Sequence, residues 1–359
     1  MFHVKHHVKL SDYNRGMNTQ LKHLSLESFE NLIVEAGLPR FRSDQVLSWV
    51  YEKNVSSYDE MTNLPKSMRE QLAELVPLTK PTVVDKQISV DGSRKYLIKF
   101  EDGALVETVG LPNDDGRLSV CVSSQSGCAM NCAFCATGRN GLNRSLYPGE
   151  IVDQVHIVQN DFGKRVTNVV VMGQGEPFAN YDNTLAALRI LNHPKYLNIG
   201  ARHITISTCG LIAGINKLAQ EPEQFTLAVS LHSAIQETRD SIMPGVSKQP
   251  LDELHEALAD YTKRTGRRFS FEFALMDGIN TSVGEIEALY QYGKNLLCHV
   301  NLIPLNEVEG SPFKPVTRKV LLLWQEALEM QGIACSIRNS RGSDIAGACG
   351  QLASKHFES

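Results

Sequence analysis

The sequence predicts an α/β chain: a partial (β/α)6 TIM-like barrel, preceded by a small N-terminal helical domain and a short β extension. Three observations carry this expectation. Residues 25–78 repeat apolar side chains at helical spacing. Residues 82–109 switch to a strand period around Asp91-Gly92, a strong hairpin-turn signal. From about residue 117 onward, short β-rich runs alternate with helical stretches, which implies parallel strands joined by right-handed crossovers.

Taken in order, residues 1–24 read as a disordered leader. Met1 to Lys9 are rich in His and Lys and lack an apolar h-region, so no secretion signal is expected, and Met17 is an alternative start. His3, His6 and His7 fit an unstructured tail better than a metal site. The helical domain spans 25–80. Ser25 and Ser28 offer N-cap oxygens, and Phe29, Leu32, Ile33 and Ala36 recur at i, i+3, i+4 and i+7 before Gly37-Leu38-Pro39 stops the pattern. A second helix carries Val46, Leu47, Val50 and Tyr51, and a third runs from about Pro65 to Val76 with Pro in the tolerated first turn. Such a module suits RNA binding, protein binding or bracing of its neighbour, and its pattern does not choose among them.

Residues 81–116 read as a small β linker with strands over Thr82–Val90, Arg94–Glu101 and Ala104–Val109. The core, 117–345, places strands at Ser119–Ser123, Asn168–Met172, His203–Ser207, Thr226–Leu231, Ser270–Leu275 and His299–Pro304, with another near Ala334–Ile337. Small and polar residues follow these strands: Gly173-Gln174-Gly175-Glu176-Pro177, Ser207-Thr208-Cys209-Gly210, Ser230-Leu231-His232-Ser233 and Asn306. A barrel of this type builds its site at the strand C-termini. Turn chemistry alone would explain any one of these runs; their coincidence with a cysteine-rich loop after the first strand points to a site. Residues 346–359 form a Gly- and Ala-rich C-terminal loop and tail.

Composition bounds the class. With 42% hydrophobic and 21% charged residues the chain is that of an ordinary folded domain, and no run approaches the roughly 18 apolar residues of a membrane span. The net charge of −4 argues only weakly against a nucleic-acid partner, because totals do not show how charge is distributed. Eight cysteines in a long chain without a signal peptide point to a reducing, cytoplasmic setting in which clustered thiols are ligands or catalysts.

Cys128-Ala-Met-Asn-Cys132-Ala-Phe-Cys135 is the sharpest signal. The spacing puts three thiolates on one loop, where they can hold three irons of a [4Fe-4S] cluster and leave one iron open. Zinc would want a fourth nearby Cys or His, and His156 is distant in sequence, so the cluster is the favoured reading.

Cys121-Val-Ser-Ser-Gln-Ser-Gly-Cys128, Met172-Gly-Gln-Gly-Glu-Pro177, Ser230-Leu-His232, Asn301-Leu-Ile-Pro304 and Ala348-Cys349-Gly-Gln-Leu352 together resemble the RlmN/Cfr family of radical S-adenosylmethionine (SAM) RNA methyltransferases, from about Val106 to Leu352. Phe134, just before the last loop cysteine, also fits that pattern. The resemblance implies a radical SAM barrel and one [4Fe-4S] cluster per chain on Cys128, Cys132 and Cys135. It implies SAM contacts at Gly175, Glu176, Ser207, Ser230, Leu231, His232 and Asn306, with two SAM molecules used per turnover. Cys349 matches the methyl-carrying cysteine, Cys121 the second catalytic cysteine that forms a disulfide with it, and Glu107 a proton acceptor. Gln174 stands where the family usually has Met, Pro244-Gly245-Val246 replaces Pro-Ile-Asn, and Ala346 replaces a common Asp. Cys209, Cys298 and Cys335 have no such match and are expected to be structural.

The implied reaction is methylation of C2 of an adenine in 23S rRNA at the peptidyl transferase centre, and of the adenosine 3′ of the tRNA anticodon. It runs through S-methylcysteine, a 5′-deoxyadenosyl radical and a covalent protein–RNA adduct. A flavodoxin-type one-electron donor, a monomer and no membrane association complete the expectation. C8 methylation of the Cfr type, a radical SAM reaction on a peptide or cofactor, and a non-enzymatic iron–sulfur RNA-binding or sensor role are the rival readings.

Overall fold

The computed structural model describes residues 19–353; the alternative start at Met17 and the histidines 3, 6 and 7 lie outside the described residues. Residues 19–24, which local pattern assigns to the leader, are packed instead. A 3-10 turn over Leu21–His23 buries Leu21 and Leu24 in the main core. Lys22 forms a buried ion pair with Asp153 at 2.5 Å. That partner is 131 residues away, so nothing in the local sequence announces it.

Helix α1 (Leu26–Glu35) starts as expected, with Ser25 Oγ accepting the Ser28 N–H at 3.1 Å. Helices α2 (Phe41–Tyr51) and α3 (Lys66–Leu75) complete the module and bury Val46, Leu47, Val50, Met68 and Leu72. The module sits on α4 (Pro148–Phe162), which has Pro at its first turn and Gly163 in the left-handed conformation at its end. Asp153 and His156 are three apart and so share one face of α4. Asp153 takes Lys22, and His156 Nε2 contacts the Tyr51 carbonyl at 3.0 Å. Charge and hydrogen bonding thus register the module on the core where apolar packing alone would let it slide.

Among the described residues the main sheet has ten strands, in the order β1-β2-β3-β4-β7-β8-β9-β10-β11-β12. Strands β1 (Thr82–Ile88), β2 (Arg94–Lys99) and β3 (Leu105–Pro112) form an antiparallel meander. β3 pairs antiparallel with β4 (Leu118–Cys121), so the extension read from sequence as a linker is continuous with the core sheet. β4, β7 (Asn168–Val171), β8 (Ile204–Thr208), β9 (Thr226–Ser230), β10 (Phe269–Leu275), β11 (Cys298–Pro304) and β12 (Cys335–Ile337) run parallel. Between them lie α4, α5 (Tyr181–Asn192), α6 (Ile212–Leu218), α7 (Gln236–Ile242), α8 (Leu251–Thr265), α9 (Val283–Gly293) and α10 (Arg318–Met330). The ladder does not close, since β1 and β12 are both edges; this is the partial barrel the alternation predicts.

The chain after β12 spans that opening. Gly342 N–H donates to Asp91 Oδ2 at 3.0 Å, and Asp344 accepts from Ser89 Oγ at 2.6 Å and from Val90 N–H at 3.1 Å. Arg341 reaches the Pro112 carbonyl. The β1–β2 turn is therefore a docking post for the C-terminal segment. Among the described residues no helix is long and apolar enough to cross a membrane.

Removing one partner of a buried ion pair strands the other charge and typically costs about 3–5 kcal/mol. Asp153→Ala should therefore lower the thermal midpoint by several degrees and loosen the module first. Circular dichroism melting with limited proteolysis checks this, and a wild-type melting curve would contradict the seam described here.

Candidate active site

A two-stranded ribbon forms the neck of the cysteine loop. β5 (Gln125–Gly127) pairs with β6 (Leu142–Ser145), and Cys128 N–H donates to the Gly141 carbonyl at 2.9 Å. Gly127 has φ +77°, and a Cβ there would run into the Gly141 carbonyl oxygen, so the neck demands glycine. At its far side the loop is pinned to the end of α7: Ala133 N–H donates to the Ile242 carbonyl at 2.9 Å, and Gly245 N–H to the Met130 carbonyl at 3.1 Å. Sequence reading missed this ribbon, whose strands are too short to carry a period.

Cys128, Cys132 and Cys135 all line one cavity at the C-terminal ends of the barrel strands. Among the described residues no three His, Cys, Asp or Glu side chains converge on a point that could hold a single metal ion. Three thiols on one cavity wall fit a cluster, which offers each thiolate its own iron and leaves a fourth iron open. Burial pushes the Cys128 thiol up to about 11 and raises Cys132 as well. Burial disfavours the bare thiolates, and a bound iron cation would stabilise them and displace their protons to solvent.

Gly175, Glu176, Ser207, Ser230, His232 and Asn306 line the same cavity. Gly175 has φ +97°, and a Cβ would meet Gln125 at 2.5 Å, which fixes the tight turn after β7. Glu176 is buried, and its two oxygens accept from Phe178 N–H at 2.9 Å and Cys209 N–H at 2.7 Å. Burial raises its carboxyl above the usual range despite these bonds. Leu231 differs: its side chain is in the core and not on the cavity wall, with its N–H on the Glu272 carbonyl and its carbonyl on Arg239. The alternation of β9 turns it inward between Ser230 and His232.

His232 is a non-glycine residue at φ +57°, held there by Asn280. The Asn280 amide donates to the His232 and Ala274 carbonyls at 2.6 and 2.8 Å and accepts the Met276 N–H at 2.7 Å. His232 Nδ1 accepts the Ala274 N–H at 2.9 Å, which leaves the ring proton on Nε2. Burial, reinforced by the Arg239 cation, lowers its pKa to about 3. The imidazole is thus a neutral donor.

Cys349 lines this cavity and also an adjoining one whose wall includes Cys121. It is exposed to the cavity space yet surrounded by protein, and burial raises its thiol, with Arg338 opposing the rise. Burial pushes Cys121 up to about 12, with Cys349 adding to the rise. Asn306 Nδ2 donates to the Cys349 carbonyl at 3.0 Å. Glu107 lines neither cavity; it is buried and ion-paired with Lys95 at 3.0 Å. Its Oε2 accepts the Ala353 N–H at 2.7 Å, on the segment that carries Cys349. Cys209, expected to be structural, is buried on the first cavity wall, whereas Cys298 and Cys335 are on neither. Glu272 and Arg338, 3.4 Å apart, also face the first cavity. An acidic residue inside the apolar run Phe269–Leu275 was the available signal for Glu272.

Residues 122–290 match the radical SAM superfamily model, and residues 19–78 match the ribosomal RNA large subunit methyltransferase N-terminal domain. A protein of Pelotomaculum thermopropionicum named "Probable dual-specificity RNA methyltransferase RlmN" is 44% identical over 95% of this chain and 93% of its own. A Geobacillus kaustophilus protein of the same name is 44% identical over 92% of each chain. The crystal structure of a radical SAM methyltransferase from Sphaerobacter thermophilus superposes with a TM-score of 0.88 at 43% identity, covering 94% of this chain and all of that one.

The His232 geometry has a titration consequence. Its folded value lies below the ordinary 6.5, so its contribution to stability is complete above pH 6.5 and drains as pH falls from there toward about 3. Selective 15N-histidine NMR should find its proton on Nε2 and no titration between about pH 8 and pH 5. A midpoint near 6.5 would contradict the buried, neutral donor.

Proposed function

The chain belongs to the RlmN family of radical SAM enzymes, and from that premise we propose that it methylates C2 of an adenine in 23S rRNA and the adenosine 3′ of the tRNA anticodon. The observation that carries the reading is the position of Cys349 on the shared wall of two cavities, one lined by the three loop cysteines and the other by Cys121.

Adenine C2 is electron-poor and does not attack a SAM methyl as an amine would. Cys349 meets this by taking a methyl on Sγ, a displacement that a thiolate performs readily. Arg338, which favours the ionised thiol, assists that step. Cys128, Cys132 and Cys135 would hold a [4Fe-4S] cluster, which would supply the electron for reductive cleavage of SAM to a hydrogen-abstracting 5′-deoxyadenosyl radical. Glu176 and the Ser207, Ser230, His232 and Asn306 side chains bind the polar ends of SAM, with His232 as donor and Glu176 as acceptor. Loss of one hydrogen atom from the S-methyl leaves a carbon radical on Cys349 that bonds to C2. The C2 proton and one electron, which the bound cluster would accept, then leave the adduct. The Cys121 thiolate attacks Cys349 Sγ, so that the S–C electron pair stays on the product carbon, which takes up a proton to become methyl, while the two sulfurs end as a disulfide. The adjoining cavity, with Asn113, Ser119, Arg338 and Asn339 on its wall, is the place for the base. We assign the reaction to a monomer in the cytoplasm, fed by a flavodoxin-type donor.

Anaerobic protein reconstituted with iron and sulfide, given methyl-labelled SAM and protein-free 23S rRNA, tests this. Wild type should place label on adenine C2 and Cys349→Ala should place none, read by mass spectrometry of digested RNA. Label at C8 alone would move the chain to the other branch of the family. SAM cleavage without any RNA label would remove the RNA substrate.

A further inference from the structure

We infer that the buried pair Lys95–Glu107 is a clasp that holds both ends of the segment carrying Cys349, which makes Lys95 a positioning residue for the reaction. The inference rests on the reading that Cys349 is the methyl carrier. Lys95 lies on β2 and Glu107 faces it from β3, with their charged atoms 3.0 Å apart. Lys95 and Glu107 are only 9% and 5% exposed, so a surface role is excluded.

The two side chains reach the C-terminal segment at two points. Lys95 Nζ donates to the Ala346 carbonyl at 3.3 Å, three residues before Cys349. Glu107 Oε2 accepts the Ala353 N–H at 2.7 Å, four residues after it. One ion pair therefore closes the base of the short loop whose tip is the reactive sulfur.

Two further features make the clasp necessary. Ala346 sits at φ +49°, a left-handed conformation that alanine disfavours, and such a residue persists only where its surroundings over-determine it. The Lys95 bond falls on the carbonyl of that residue. Second, a buried ion pair is a weak source of stability by itself, because desolvation consumes most of its Coulomb gain. Its role here is better sought in what it fixes in place.

The clasp is also tied to the SAM side of the site. Glu107 N–H donates to Gln174 Oε1 at 3.2 Å, and the Glu107 carbonyl accepts from Ser123 Oγ at 2.6 Å. Ser123 Oγ in turn accepts the Gln174 N–H at 2.9 Å, at the turn that carries Gly175 and Glu176. Gln174 thus takes up a backbone N–H of β3 that lies beyond the reach of β4, whose pairing starts at Val109. Lys95, Glu107 and Gln174 connect the SAM-binding turn to the loop that must accept its methyl.

The test uses the full, cluster-loaded chain under anaerobic conditions. Oxidised glutathione is titrated in, and the Cys121–Cys349 disulfide is quantified by mass spectrometry. One S–S bond forms in the protein while one breaks in glutathione, and two electrons and two protons pass to the two released glutathione thiols. The midpoint measures the effective concentration of one thiol at the other. Lys95→Met should move it about tenfold toward free thiols and lower kcat for RNA methylation about tenfold, with KM for SAM within about twofold. Lys95→Arg, which keeps the charge, should restore both. Glu107→Gln breaks the ion pair at similar volume and should shift the midpoint in the same direction, which covers the case of a Lys95→Met protein that does not fold. An unchanged midpoint in both folded variants would overturn the clasp. A shifted midpoint with undiminished methylation would overturn Lys95 as a positioning residue for the reaction, whereas methylation surviving in Cys349→Ala would overturn the role given to Cys349.

Discussion

Two backbone hydrogen-bond acceptors on the C-terminal segment tie the three-cysteine loop to the loop that carries Cys349. Ala136 N–H donates to the Gly350 carbonyl at 2.8 Å, and Thr137 Oγ1 donates to the Leu352 carbonyl at 2.7 Å. Ala136 and Thr137 directly follow Cys135, and Gly350 directly follows Cys349. A methyl or hydrogen transfer tolerates little error in position, so the loops must be registered on each other and not merely on the barrel. Most of the remaining architecture serves that registration. The β5–β6 neck and the end of α7 hold the first loop, while the β1–β3 meander and Asn306 hold the second.

Where the strands end the interior carries buried polar side chains, and specific partners satisfy most of their polar atoms, Arg239 Nε being one that has none. Asn280 is fully buried and spends its amide on three backbone groups around the strained His232. Arg239 is likewise fully buried and bonds the Cys209, Ser230 and Leu231 carbonyls, the frayed ends of β8 and β9. Leaving such groups unpaired would cost about 1–3 kcal/mol each, so these side chains make an open, irregular strand end compatible with a folded core. The cavity is therefore preorganised before any ligand enters.

How much of this was legible follows from the range of each interaction. The strand–helix alternation, the three-cysteine spacing and the Ser25 cap are local, and they stand in the structure where the sequence puts them. Six of the seven expected SAM-contact residues face one cavity because each lies at or just past the C-terminal end of a parallel strand. Leu231 does not, because strand alternation turns it into the core, a fact hidden when a motif is read as a string. Glu107 was legible as part of a motif but not as a partner of Lys95, since cross-strand pairing depends on register. The packing of residues 19–24 and the β5–β6 ribbon depend on contacts with α4 and across the cysteine loop, which no local period encodes.

The account stands or falls on the three loop thiols holding a cluster with one iron left for SAM. Electron paramagnetic resonance of the anaerobically reconstituted, dithionite-reduced chain, with and without SAM, addresses that most directly. The account predicts about four irons per chain and a reduced-cluster signal whose shape changes when SAM is added. One zinc per chain, or a cluster signal indifferent to SAM, would contradict it.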